Sequence, residues 1–220
     1  MAAPLKIDFV SDVSCPWCVI GLRSLEAALS RLGGAVAADI HFQPFELNPG
    51  MAPEGEDVGE HIARKYGSSA AQIAQNREMI RARGADLGFD FRFAERGRIY
   101  NTFDAHRLLH WAEGSGKQKA LKEALFAAYF TEGRDPSSRE LLAEVAGKVG
   151  LDPQRARQII ESGEYADEVR AREQLYLRNG IHAVPAVIFN ERYLVQGGQP
   201  VEVFEQAIRK ALEDGARGDI

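Results

Sequence analysis

Cysteine is scarce in this chain, two residues in 220, so a four-cysteine zinc site is excluded. The one ligand-like histidine spacing, His106 with His110, lies roughly ninety residues from the thiols. Charge of one sign is also lacking. Lys and Arg number 27 against 32 Asp and Glu, a net charge of −5 with no long basic run, so neither nucleic acid nor an anionic membrane is expected as a partner. The arginine-rich stretch from Arg77 to Arg98 is interrupted by Glu78, Asp86, Asp90 and Glu95 and reads as a solvated face. No apolar run approaches membrane-spanning length. Met1 to Lys6 lacks the charged start, apolar core and cleavage site of a secretory signal, which makes the cytoplasm the expected location. Internal repeats and low-complexity segments are absent too. What remains is globular material, 45% hydrophobic and 27% charged, long enough to bury a sizeable core.

Both cysteines fall in Cys15-Pro16-Trp17-Cys18, where a short apolar strand, Leu5 to Val10, gives way to an amphipathic helix. Random placement would give that separation on the order of one time in a hundred, so the pairing needs a cause. Proline suits the first position inside a helix, where its missing N–H has no partner to lose. Cys15 is then the N-cap and Cys18 lies one turn in, on the same side. Unpaired N–H groups and the dipole at a helix start favour a thiolate there, which makes Cys15 the nucleophile. Cys18 is the resolving thiol, able to attack a mixed disulfide on Cys15 and leave a Cys15–Cys18 bridge. Half a zinc site, two merely packed cysteines and a structural disulfide compete with this reading. The last is weak, since closing so short a loop removes little unfolded-state entropy.

The chain has two textures. Leu5–Val10, a helix from Cys15 to Leu32 ended at Gly33-Gly34, and a strand from Ile40 to Leu47 form a β-α-β start. After Asn48-Pro49-Gly50 the pattern is helical for over a hundred residues: Ile73, Ile80 and Leu87 recur at seven-residue steps, and Asn101-Thr102 opens a further helix. Ser137 with Glu140 has a capping-box spacing, and Asp152-Pro153 an N-cap followed by a first-turn proline. Strand texture returns at Ala186–Phe189 and Tyr193–Gln196, and a final helix carries Phe204, Ile208 and Leu212. Without the helical middle, the order is β-α-β, helix, β-β, helix. The expected fold is α/β, a thioredoxin fold with a large all-helical insertion: residues 1–52 and 164–220 form the thioredoxin part, and residues 53–163 the insertion.

In that order the chain resembles the DsbA-like thioredoxin family, and within it the FrnE-like cytoplasmic branch. The residues that carry the resemblance are Val10 to Cys18, Phe45-Glu46-Leu47-Asn48-Pro49, Asn101 to Leu109, Gly180 to Ala186 with Val184-Pro185, and Gly197-Gly198-Gln199. The resemblance implies that Pro185 is cis and lies beside the cysteines, and that the Val184 backbone pairs with an extended substrate segment. Proline is tolerated at the first residue of a strand, so position 185 is compatible with that role.

Two departures bound what the resemblance carries over. Periplasmic oxidants of the family usually have histidine where this chain has Trp17, which cannot be protonated, so the dithiol is expected to be more reducing than theirs. The related glutathione-dependent branch, including 2-hydroxychromene-2-carboxylate isomerase and kappa-class glutathione transferases, generally has serine at the first position. Asp8, on the first strand, is a candidate proton relay to Cys18 or an ordinary strand aspartate. Asp12 is placed to contact the helix start. Trp17 is a candidate substrate platform, and His106 with His110 either borders the groove or forms a structural pair. The expected function is a thiol-disulfide oxidoreductase, reductase or isomerase, acting on protein or small-molecule disulfides with a cellular thiol reductant. It needs no metal and no cofactor beyond glutathione as a co-substrate. A glutathione-dependent isomerase or transferase and a non-catalytic protein-binding module are the alternatives.

Overall fold

The computed structural model describes residues 4–33, 36–94 and 97–217. Met1, Gly34 and Glu95, used above in reading the sequence, lie outside the described residues. The first strand, β1 (Leu5–Ser11), alternates as a strand buried on both faces must: Ile7 and Phe9 enter one core, and Val10 enters another on the opposite side. Helix α1 (Pro16–Arg31) then returns the chain to β2 (Ala38–Pro44), which runs parallel to β1 with Ile7 opposite Ile40 and Phe9 opposite Phe42.

The chain next makes a long excursion. It comprises β3 (Glu56–Asp57), α2 (Val58–Tyr66), α3 (Ala70–Asp86), β4 (Arg98–Ile99), α4 (Phe103–Glu113), α5 (Gln118–Phe130), α6 (Arg139–Lys148) and α7 (Pro153–Ser162). Helix α8 (Ala166–Arg178), strands β5 (Ala186–Phe189) and β6 (Tyr193–Gln196), and helix α9 (Val201–Arg217) complete the fold. The main sheet has the order β2-β1-β5-β6, with β5 antiparallel to both its neighbours. Helices α1 and α9 cover one face of the sheet, and α8 covers the other through Tyr176 and Leu177. This is a thioredoxin fold with a helical insertion. The two-residue ladder of β3 and β4 interrupts the helices, a piece too short to show a period in sequence.

Local signals placed most helix starts. Ser69 and Gln72 form a reciprocal capping box on α3, and Asp152 accepts from the Gln154 N–H ahead of Pro153. The start of α6 differs from expectation by one residue. Ser138 caps it, accepting from the Leu141 N–H, while Ser137 is engaged by the Asp135 carboxylate.

Helix α5 joins the two parts of the molecule. Its Leu121 and Leu125 pack in the insertion core with Leu108, Leu142 and Ile159, whereas Phe126, Tyr129 and Phe130 pack with Cys18 and Val19 of α1 in the core of the sheet. Burying Phe126 and Phe130 contributes about 2 kcal/mol each. Val13, in the turn between β1 and α1, is fully buried in the insertion core. The segment leading to Cys15 is thus gripped from both sides.

Candidate active site

Pro16 starts α1, and Cys15 sits at its N-cap in an extended conformation with no side-chain capping bond. Cys18 follows one turn later, and its N–H donates to the Cys15 carbonyl at 3.1 Å. Both thiols are free. The Cys15 thiol donates to the carbonyl of Val184 at 3.6 Å, and the Val184–Pro185 peptide is cis. Strand β5 begins immediately afterwards, so the fold brings residues 15 and 184 together across a gap of 169 positions. Cys15 is 3% exposed and Cys18 fully buried. Burial pushes the Cys18 thiol well above its ordinary range, and contact with Cys15 adds to this, while Lys122 and the backbone of Asp12 pull the other way.

Two glycines set how closely the walls approach. A Cβ on Gly21 would lie 2.9 Å from the Pro185 ring, and one on Gly198 would lie 3.0 Å from the Trp17 carbonyl oxygen. Trp17 is half-buried, with the Arg83 guanidinium of α3 5.2 Å from its ring; Arg83 also donates to the Gly198 carbonyl at 2.8 Å. The tryptophan is therefore held between α1, the loop after β6 and the insertion.

Beneath the turn, the buried Asp12 carboxylate accepts from the Ser14 N–H and hydroxyl and, at 2.8 Å, from the Leu47 N–H. His106 Nε2 of α4 stands 3.5 Å from it, an ion-pair distance without hydrogen-bond geometry. Burial works to raise the Asp12 carboxyl, but His106 and the Leu47 N–H outweigh it and hold the group at about 2. The same loop is anchored from behind. Glu173 accepts from the Glu46 N–H at 2.9 Å, and Arg170, stacked 3.7 Å from the Phe103 ring, bridges the Glu46 and Glu173 carboxylates.

The structure gathers Cys15, Cys18, Trp17, Val184 and Pro185 in one place. Asp8 is not among them. Its carboxylate accepts from Gln43 Nε2 at 2.7 Å, lies 3.6 Å from Lys6 and interacts with Tyr176 of α8, so it is on the sheet face away from α1. The physical reason is alternation: Asp8 has the parity of Val10, not that of Ile7 and Phe9. His106 and His110 line one small cavity with Gln43, Glu113 and Arg172, and His110 also packs on the Tyr165 ring at 5.2 Å. Sequence reading missed Lys122, fully buried on α5 beside the dithiol. Its signal was spacing, four residues before Phe126 and eight before Phe130 on one stripe.

A DSBA-like thioredoxin domain matches residues 6–209. The structure of SCO1869 from Streptomyces coelicolor, a probable DsbA oxidoreductase, is 34% identical, with a TM-score of 0.89 over 95% of this chain and 90% of that one. YwbO of Bacillus subtilis (strain 168) is 26% identical over 205 residues, 93% of this chain and 96% of its own length. The cytosolic disulfide reductase DsbM from Pseudomonas aeruginosa, solved with GSH, shares the fold at 17% identity, with a TM-score of 0.66 over 95% of this chain and all of its own. A matched span that runs from β1 into α9 and takes in the dithiol, the cis-proline and the whole insertion places this chain in the DSBA-like thioredoxin family.

Proposed function

We propose that the protein is a cytoplasmic thiol-disulfide oxidoreductase working as a reductase or isomerase through Cys15 and Cys18. The observation that carries this reading is the meeting of a free helix-N-terminal thiol with the Val184 carbonyl at a cis-proline. The Cys15 thiolate attacks one sulfur of a substrate disulfide, forming a mixed disulfide and expelling the other sulfur as a thiolate. Cys18 then attacks the Cys15 sulfur, breaking the mixed disulfide and releasing the second thiolate. The substrate has gained two electrons and the enzyme holds a Cys15–Cys18 bridge. A cellular thiol reductant restores the dithiol, and glutathione, present in the DsbM structure, has the right chemistry for that step.

Val184, half-buried with its carbonyl facing Cys15, offers an extended segment a backbone partner, and Trp17 offers it an apolar surface. With Cys15 only 3% exposed, a small disulfide or a flexible extended segment reaches the sulfur with less rearrangement than a bulky folded surface does. The test is reduction of insulin and of glutathione disulfide by Cys15→Ser and Cys18→Ser. Cys15→Ser should abolish both activities, and Cys18→Ser should accumulate a mixed disulfide on Cys15. Activity surviving Cys15→Ser overturns the reading. An equilibrium potential near the roughly −270 mV of thioredoxin supports a reductase, and one nearer −120 mV an oxidant.

A further inference from the structure

We propose that the amine of Lys122 is the base that takes the proton of Cys18 when the resolving thiol attacks. The inference rests on the dithiol reading and adds a residue to it.

Lys122 has no exposed surface, and its Nζ has no hydrogen-bond partner among the described residues. An orphan ammonium in a protein interior is costly, and lysine ordinarily avoids the position by extending to water. Here α5 points it inward beside Phe126, whose ring centroid is 5.1 Å from Nζ. The titratable groups that act on it are Cys18 first, then Asp12 and Cys15; Asp12 in turn has His106 of α4 at 3.5 Å. Asp12, bonded by Ser14 and Leu47 and held at about 2, carries no proton near pH 7, which leaves the thiols as the groups with a proton to exchange. Burial lowers Lys122 to about 8, against the opposing pull of Cys18, Asp12 and Cys15, so that roughly a tenth of the population is neutral amine near pH 7.

The chemistry needs such a group. A lone Cys18 thiolate is disfavoured where it sits, because burial holds its proton on. Lys122 makes no hydrogen bond to Cys18 at rest, so its side chain must swing into reach as the mixed disulfide forms; transfer from the Cys18 thiol to the amine then creates a thiolate and an ammonium together, a buried pair in place of a single buried charge. The thiolate then bonds to the Cys15 sulfur, the bond from Cys15 to the substrate sulfur breaks, and the leaving thiolate carries away the electron pair. Lys122 keeps the proton and returns it to Cys18 when an external thiol reduces the bridge. The insertion thereby supplies a working group to a site whose sulfurs belong to the thioredoxin part.

Stopped-flow reaction with substoichiometric 5,5′-dithiobis(2-nitrobenzoate) separates the two chemical steps: Cys15 attack releases one thionitrobenzoate, and Cys18 resolution releases the second. Lys122→Met, close in size and without the amine, should leave the first release within about threefold of wild type. It should slow the second at least about tenfold at pH 7 and remove the inflection near pH 8 from its pH profile. A second release with wild-type rate and wild-type pH profile overturns the assignment. Absence of a second release from the wild type would instead overturn the dithiol reading, and the role of Lys122 with it. If Lys122→Met does not fold, the wild type carries the test by ¹³C NMR of labelled lysine. Lys122 must then titrate below the other lysines, with a midpoint at least about half a pH unit lower in the oxidised protein, where neither sulfur can form the thiolate that stabilises the ammonium; an unchanged midpoint overturns the assignment.

Discussion

Two buried charges flank the same pair of sulfurs, and they are treated in opposite ways. Asp12 is 1% exposed and accepts from two N–H groups and a hydroxyl, with His106 beside it. Lys122 is equally buried, with no hydrogen bond to its Nζ among the described residues. A fully bonded charge fixes a conformation, because every movement away from it breaks something. An unbonded one is free to give up its proton and take one back. The Asp12 cluster therefore belongs to the architecture of the turn, and Lys122 to the chemistry.

The sharpest way to break this contrast is to remove each charge and ask for effects of opposite sign. Asp12→Ala should destabilise the fold by about 3 kcal/mol, since it strands His106 and the donors of Ser14 and Leu47. Lys122→Met should stabilise it by about 2 kcal/mol at pH 7, because an apolar side chain replaces a buried charge that makes no hydrogen bond among the described residues. Denaturant titration of both variants measures the two signs; destabilisation by both would mean that Lys122 is also architectural.

Acid provides the next test, with its sign set by the lowered Asp12 pKa. A carboxyl held at about 2 in the folded state and 3.8 when unconstrained contributes stability that is complete above about 4 and is lost as pH falls towards 2. The expected loss is about 2 kcal/mol. Asp12→Asn should flatten that part of the stability profile; an unaltered acid limb would detach Asp12 from it.

A smaller effect separates wall position from charge. Gly21→Ala should lower the second-order rate of disulfide exchange about tenfold by pushing the Pro185 ring away from α1, with stability changing by about 1 kcal/mol. Smallest of all, Asp8→Asn should change the resolution rate by less than about twofold, since Asp8 faces α8 rather than the dithiol. A tenfold slowing by Asp8→Asn in the two-release assay would return the relay to the sheet.

The sequence made some of this site legible and hid the rest for identifiable reasons. Cys15 to Cys18 could be read because cysteine spacing, a first-turn proline and the change from strand to helix all coincide locally. Asp152-Pro153 was legible in the same way, as a side chain that serves backbone two residues away. Between Ser137 and Ser138, local chemistry did not decide: Asp135, two residues upstream, engages the first and frees the second to cap. Asp8 was ambiguous because its role depends on which face of the sheet α1 covers, a tertiary fact. Lys122 is the deepest case. Its chemistry arises only when α5 lies against α1, and a single lysine in an otherwise ordinary helix does not announce that packing.

Val13 ties the redox turn to the insertion. Its side chain packs in one hydrophobic core while Cys15, two residues on, packs in the other. In this chain the insertion therefore helps to seat the redox centre. Replacing it would empty the pocket that seats Val13 and loosen the turn that presents the nucleophile.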